Sequence, residues 1–124
     1  MKNENNFPKP IGPYTPAINH NGLIFTSGQI PIDPITSKII KGNFKVRVEQ
    51  VLNNIKNLLN EHNSSFKNII KLTVFLTDLS KYNILNDVFI KTFPNNPPAR
   101  SVVEVCKLPM DSDIEIECIA YEEK

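Results

Sequence analysis

Ser101-Val102-Val103-Glu104-Val105-Cys106-Lys107 and Ile114-Glu115-Ile116-Glu117-Cys118-Ile119-Ala120-Tyr121 are the two stretches on which the reading of the fold turns. Both are rich in β-branched residues, and the second alternates apolar with other positions along most of its length, which is the period of a strand. Leu108-Pro109-Met110-Asp111-Ser112-Asp113 between them is dense in turn formers, so the two strands are expected to form a hairpin. The first strand carries apolar side chains on both faces, so each face needs a cover.

Working outward, Pro97-Pro98 breaks the chain ahead of these strands. Asp78 is placed to cap a helix running to about Phe93, with Leu79, Tyr82, Leu85, Phe89 and Phe93 as its buried stripe and Asn86 beside it. Ile69 to Leu76 reads as a strand. Val48, Val51, Leu52, Ile55, Leu58 and Leu59 recur at three and four, one face of a longer helix for which Asn43 is the N-cap. Leu23 to Ile30, after the turn signal Asn21-Gly22, reads as a strand that stops at Pro31, and a short strand is expected near Ile39.

Residues 1–10 are polar with two prolines and are expected to be a loose lead-in, with order starting near Ile11. The whole, 1–124, reads as one domain with the order β-β-β-α-β-α-β-β. That order predicts an α+β fold, a mixed sheet with both helices on one face. Two helices cover only one face, so the other is expected to be buried by further copies in a closed homo-oligomer.

The charge balance, 14 basic against 13 acidic residues for a net +1, leaves no electrostatic footprint for nucleic acid. No run is long and apolar enough to span a bilayer, and the first ten residues are too polar for a signal peptide, so the expected location is intracellular. Cys106 and Cys118 lack metal-ligand spacing and His20 and His62 are isolated, which argues against a zinc site. Both cysteines are expected to be buried free thiols.

Few residues are suited to chemistry. Arg100, opening a strand after a stiff Pro97-Pro98-Ala99 lead, offers a planar fork for a carboxylate, or for a structural acid. Glu115 and Glu117 share a face of the last strand about 6.6 Å apart. Either burial tunes one of them for acid/base work, or both lie on a solvated face. Tyr14, fixed by Gly12-Pro13, and Ser27, just before Gly28, could each donate one hydrogen bond or simply satisfy a neighbour. The Asn86 amide needs partners from the backbone or from a ligand. No GxSxG, P-loop or GxGxxG occurs.

Taken together, Ile11-Gly12-Pro13-Tyr14, Phe25-Thr26-Ser27-Gly28-Gln29-Ile30-Pro31, Pro98-Ala99-Arg100-Ser101-Val102-Val103-Glu104-Val105, Leu108-Pro109 and Ile114-Glu115-Ile116-Glu117 resemble the RidA (YjgF-type) family of reactive-intermediate enamine/imine deaminases, from Ile11 to about Tyr121. The resemblance implies a chorismate-mutase-like α+β subunit, three of which close a barrel with helices outside and clefts between neighbours. It implies 2-imino and 2-enamine acids such as 2-aminoacrylate as substrates, deaminated by water to 2-keto acids and ammonia without cofactor or metal, in the cytoplasm or an organellar matrix. It implies that Arg100 clamps the substrate carboxylate, that Glu117 activates water and passes a proton to the departing ammonia, and that Tyr14, Ser27 and Asn86 complete the cleft. Many members have cysteine two residues after the arginine; this chain has Val102, so any contact there runs through the backbone. The same cleft would also serve a small-carboxylate sensor, and an RNA-cleaving translation inhibitor is a third reading, opposed by the near-neutral charge.

Overall fold

A computed structural model describes residues 6–124. Its sheet holds β1 (Ala17–His20), β2 (Leu23–Thr26), β3 (Ile69–Leu76), β4 (Ala99–Glu104) and β5 (Ile114–Tyr121) in the order β1-β2-β5-β3-β4. Helices α1 (Phe44–Glu61) and α2 (Tyr82–Thr92) cover one face. The α+β architecture with a mixed sheet and both helices on one side is as expected.

Local chemistry accounts for most elements. Asn21 and Gly22 both adopt positive φ, 54° and 86°, the combination that a two-residue primed turn needs, and they pair His20 with Leu23. Asn43 caps α1 as expected, its side-chain oxygen accepting from the Val46 amide at 3.0 Å. The whole predicted stripe from Val48 to Leu59 is buried against Leu72, Val74, Ile114, Ile116 and Ala120. Arg47 on the first turn of α1 forks Asp113 at the entry to β5, with Nη2 2.6 Å from Oδ2.

The expected hairpin between the last two strands is not formed. β4 runs parallel to β3, β5 runs antiparallel to it, and β3 lies between them. The reason is α2: a strand–helix–strand crossover returns β4 parallel to β3 on one edge, leaving only the other edge for β5. The connection from 105 to 113 is correspondingly long, with a short turn of helix at Pro109–Asp111 and positive φ at Met110 and Asp111.

Other expectations shift by a turn or less. Asp78 caps a 3₁₀ turn, Leu79–Lys81, accepting from the Ser80 amide, and α2 starts only at Tyr82. That tighter turn changes the phase: Leu79 and Tyr82 are exposed, while Leu85, Val88 and Phe89 are buried, with Phe93 just beyond. The strand near Ile39 reduces to a single bridge with Ile32. The lead-in is not loose up to Ile11, because Phe7 is only 7 % exposed and joins the core; residues 1–5 of it lie outside the described residues. Cys118 is buried as expected but Cys106, beyond the end of β4, is exposed.

The predicted strand from Leu23 to Ile30 is broken. Phe25 pairs with Ile119 and Gln29 with Ile116, four steps on one side against three on the other, so one extra residue is inserted near Ser27. The bulge is held by backbone and side chain: the Ser27 amide donates to Pro16 O at 2.8 Å, and Thr26 Oγ1 accepts from the Cys118 amide at 2.9 Å.

The sheet face away from the helices has no cover within the chain. Ile18, Leu23, Phe25, Val103 and Tyr121 lie on it and are exposed, Ile18 at 57 % and Phe25 at 43 %.

Candidate active site

The bulge at Ser27 sets one wall of a pocket of about 280 Å³. Pro8 to Ile11 and Tyr14 form the opposite wall, and Glu115 projects from β5 between them. Tyr14 is fixed by its turn, its amide donating to Gly12 O and its phenol oxygen accepting from the Ile11 amide at 3.3 Å. The Ser27 hydroxyl donates to Thr15 O at 2.7 Å, so it ties the two walls together.

Gly28 owes its identity to Glu115. A Cβ at residue 28 would stand 2.6 Å from Glu115 Cδ and 2.7 Å from its Oε2, closer than side chains tolerate. The carboxyl therefore occupies the space that the missing side chain vacates. Burial, and then the neighbouring Glu117 charge, push the Glu115 carboxyl above its ordinary value. Glu117, one pleat further along the same face, is exposed.

Arg100 lies elsewhere. It is in register with Leu72 on the helix-covered face, at the edge strand, where its Nη2 donates to the Tyr82 phenol at 3.0 Å. Its guanidinium also stacks 5.0 Å from the Phe89 ring centre and 5.4 Å from that of Tyr82. The structural acid that the sequence allowed for Arg100 is not found: among the described residues the one ion pair is Arg47 with Asp113. Asn86 lines a second pocket together with Arg100, Phe93 and Pro98, and its amide finds no hydrogen-bond partner among the described residues. Val102, on the same face as Arg100, is half-buried against the core.

The chain thus presents two separate surfaces, one holding Tyr14, Ser27 and Glu115, the other Asn86 and Arg100. An acid in an apolar recess beside an exposed carboxylate can move protons, and a stacked guanidinium free of acid partners can take an anion. No three His, Cys, Asp or Glu side chains gather as metal ligands among the described residues.

Residues 4–122 match the family described as Endoribonuclease L-PSP. A RutC family protein of Pyrococcus horikoshii is 48 % identical over 118 residues, 95 % of this chain and 94 % of that protein. The chain belongs to the RidA/YjgF family. The crystal structure of RidA from an Antarctic Psychrobacter superposes with a TM-score of 0.90 at 37 % identity, covering 94 % of each chain. The chloroplastic protein of Arabidopsis thaliana named Reactive Intermediate Deaminase A is 38 % identical over 113 residues, 91 % of this chain and 60 % of that protein. Family membership agrees with the resemblance read from the Arg100 and Glu117 motifs.

Sequence reasoning passed over several parts of these surfaces. Tyr82, expected in the buried stripe of α2, instead supports Arg100, a consequence of the 3₁₀ turn that precedes it. Asn54, fully buried on α1, donates to Ile32 O at 2.9 Å and Ile30 O at 3.4 Å, and so holds the segment behind the pocket wall. An asparagine within the apolar stripe of α1 was the available signal. No helix of the described residues is long and apolar enough to cross a membrane.

Proposed function

We propose that the protein hydrolyses reactive 2-imino and 2-enamine acids, such as 2-aminoacrylate, to 2-keto acids and ammonia, as a 2-iminobutanoate/2-iminopropanoate deaminase of the cytoplasm or an organellar matrix. The supporting observation is the division of the polar residues into two surfaces, neither complete alone, within a chain 38 % identical to a protein named Reactive Intermediate Deaminase A. The bare apolar face is the place where copies would meet, and a closed homotrimer would bring the Arg100 surface of one subunit to the Tyr14 surface of the next.

In such a cleft Arg100 holds the substrate carboxylate through its planar fork, pre-set by Tyr82 and Phe89. Tyr14, Ser27, Asn86 and the Val102 backbone shape the remainder. Glu117 takes a proton from the attacking water and passes it to the leaving nitrogen. A protonated imine carbon is already electrophilic, so positioning and acid/base help supply most of the acceleration.

Coupling a pyridoxal-phosphate serine or threonine dehydratase to the purified protein tests this reading. Keto-acid formation from the released enamine is accelerated by wild type and not by Arg100→Ala; a wild type that leaves the decay unchanged overturns the assignment. The Arg100 guanidinium, held by Tyr82 and without an acid partner among the described residues, also suits a second reading, a sensor that binds small carboxylates without chemistry, for which calorimetry would show binding without turnover.

A further inference from the structure

Tyr82 does more than lie against Arg100. Its hydroxyl oxygen accepts from Arg100 Nη2 at 3.0 Å, which uses a lone pair and leaves the hydroxyl proton to give. Among the described residues no acceptor takes that proton, and Tyr82 is 40 % exposed. We propose that the Tyr82 hydroxyl is a substrate-binding group, donating to one carboxylate oxygen of the ligand while the remaining N–H groups of Arg100 hold the carboxylate beside it. This rests on Arg100 being the carboxylate clamp, as in the reading given above, and adds to that clamp a second donor from the same chain.

The fold fixes the phenol from several sides. Tyr82 closes the 3₁₀ turn that Asp78 caps, its amide donating to Leu79 O. The Leu79 amide in turn donates to Glu104 Oε1 at 2.8 Å, and Glu104 ends β4, the strand that Arg100 opens. One strand therefore supplies the guanidinium and pins the turn that supplies the hydroxyl. On the other side Lys81 Nζ stands 5.3 Å from the Phe44 ring centre, which ties the turn to the start of α1. Asn86 lies four residues after Tyr82 and so on the same side of α2, with its amide also unpartnered among the described residues.

The chemistry of the ligand follows from this donor set. A carboxylate offers about four lone-pair sites and no proton, so it matches a guanidinium and a phenol that both have protons to give. A hydroxyl that accepts from a cation is polarised by it and donates a stronger hydrogen bond of its own. The Phe89 ring, 5.0 Å from the guanidinium carbon, holds the fork in place without competing for the anion. The carboxylate is remote from the bonds that change when an imine is hydrolysed, so a donor to it binds ground state and transition state alike. Its loss is therefore felt in affinity and in KM, and kcat is spared.

Calorimetric titration with pyruvate, a stable 2-keto acid, tests the contact apart from turnover, and the dehydratase-coupled assay gives KM and kcat. Tyr82→Phe keeps the ring over Arg100 and removes the hydroxyl. It is expected to weaken pyruvate binding and to raise KM by roughly 10-fold, with kcat and the melting temperature nearly unchanged. Arg100→Lys distinguishes a ligand contact from a brace, since it keeps the charge and loses the fork that Tyr82 supports. In that background Tyr82→Phe should cost the same factor in pyruvate affinity. A cost that vanishes there makes Tyr82 only a support for Arg100 and overturns the proposal, as do an affinity and a KM unchanged in Tyr82→Phe alone. A wild type that binds pyruvate without accelerating keto-acid formation overturns the deaminase reading, and the calorimetric comparison then decides the role of Tyr82 by itself. A wild type that binds no carboxylate overturns both.

Discussion

Arg100 and Glu117 project from opposite faces of one sheet: Arg100 is in register with Leu72, which is buried under the helices, and Glu117 with Thr73, on the bare face. Successive strand residues alternate faces, so adjacent Leu72 and Thr73 fix this difference. If the two act on one substrate, they come from different chains. Mixing denatured Arg100→Ala and Glu117→Gln subunits and refolding them together is then expected to restore about a quarter of the clefts, since each needs an intact residue from each of two randomly drawn neighbours. Keto-acid formation by the mixture, against the two inactive parents, measures it. A mixture as inactive as its parents would place both residues in the same chain's contribution.

The two cysteines should differ sharply in reactivity. Burial pushes the Cys118 thiol up to about 12, while Cys106 is exposed beyond the end of β4. At pH 8 a thiol of that kind is thiolate in only about one molecule in ten thousand, and thiolate is the reactive form. Titration of the folded protein with an aromatic disulfide reagent is expected to count Cys106 quickly and Cys118 only after unfolding, and Cys106→Ser to remove the fast phase.

What could be read from the chain and what could not follow from the range of the interactions involved. α1 was legible because its cap at Asn43 and its apolar stripe are local, and β5 because alternation is local too. The partner of β4 was not, since it depends on α2 carrying the chain back parallel to β3, a non-local event with no signature in the valines of β4 itself. The start of α2 was misplaced because Asp78 caps a 3₁₀ turn with the same side-chain chemistry that caps an α-helix.

For the site, the residue types at Tyr14, Ser27, Asn86 and Arg100 were readable, but their distribution between two surfaces was not. Face is decided by register, and register by the bulge near Ser27, which lies within a run that reads as unbroken strand. The same bulge brings Gly28 against Glu115 and so distinguishes that carboxyl from Glu117. A carboxylate pair spaced by two looks symmetrical until one member is found seated against Gly28.

Asn54 is expected to hold the pocket wall at a measurable cost if removed. Its amide satisfies the carbonyls of Ile30 and Ile32, and Gln50 Nε2 donates to its side-chain oxygen at 2.9 Å. Asn54→Leu takes the donor from the buried Ile32 carbonyl, while Ile30 O keeps the Ile32 amide at 2.7 Å, a loss of about 1–3 kcal/mol. Urea unfolding should show that decrease, and amide hydrogen exchange should quicken at Ile32 and at Ile40, whose amide donates to Pro31 O. An unchanged unfolding midpoint would mean that water replaces the amide without penalty.

Glu115 should also leave a signature in stability against pH, with a sign opposite to that of most carboxylates. Its folded value is raised above the ordinary 4.5, so folding favours the protonated form. The stability this group contributes is therefore fully present below about pH 4 and is lost as pH rises through the raised folded value. Asp78, whose carboxylate accepts from the Ser80 amide and is held below its ordinary value, works the other way and loses its contribution as pH falls. Subtracting one melting curve from another isolates Glu115: the gain in melting temperature of Glu115→Gln over wild type should be larger at pH 7.5 than at pH 4.5. Assembly over the bare face would bury the carboxyl further and enlarge the difference without changing its sign. A gain equal at both values of pH would mean that Glu115 is ionised as easily in the folded protein as in the unfolded chain, which the seat against Gly28 argues against.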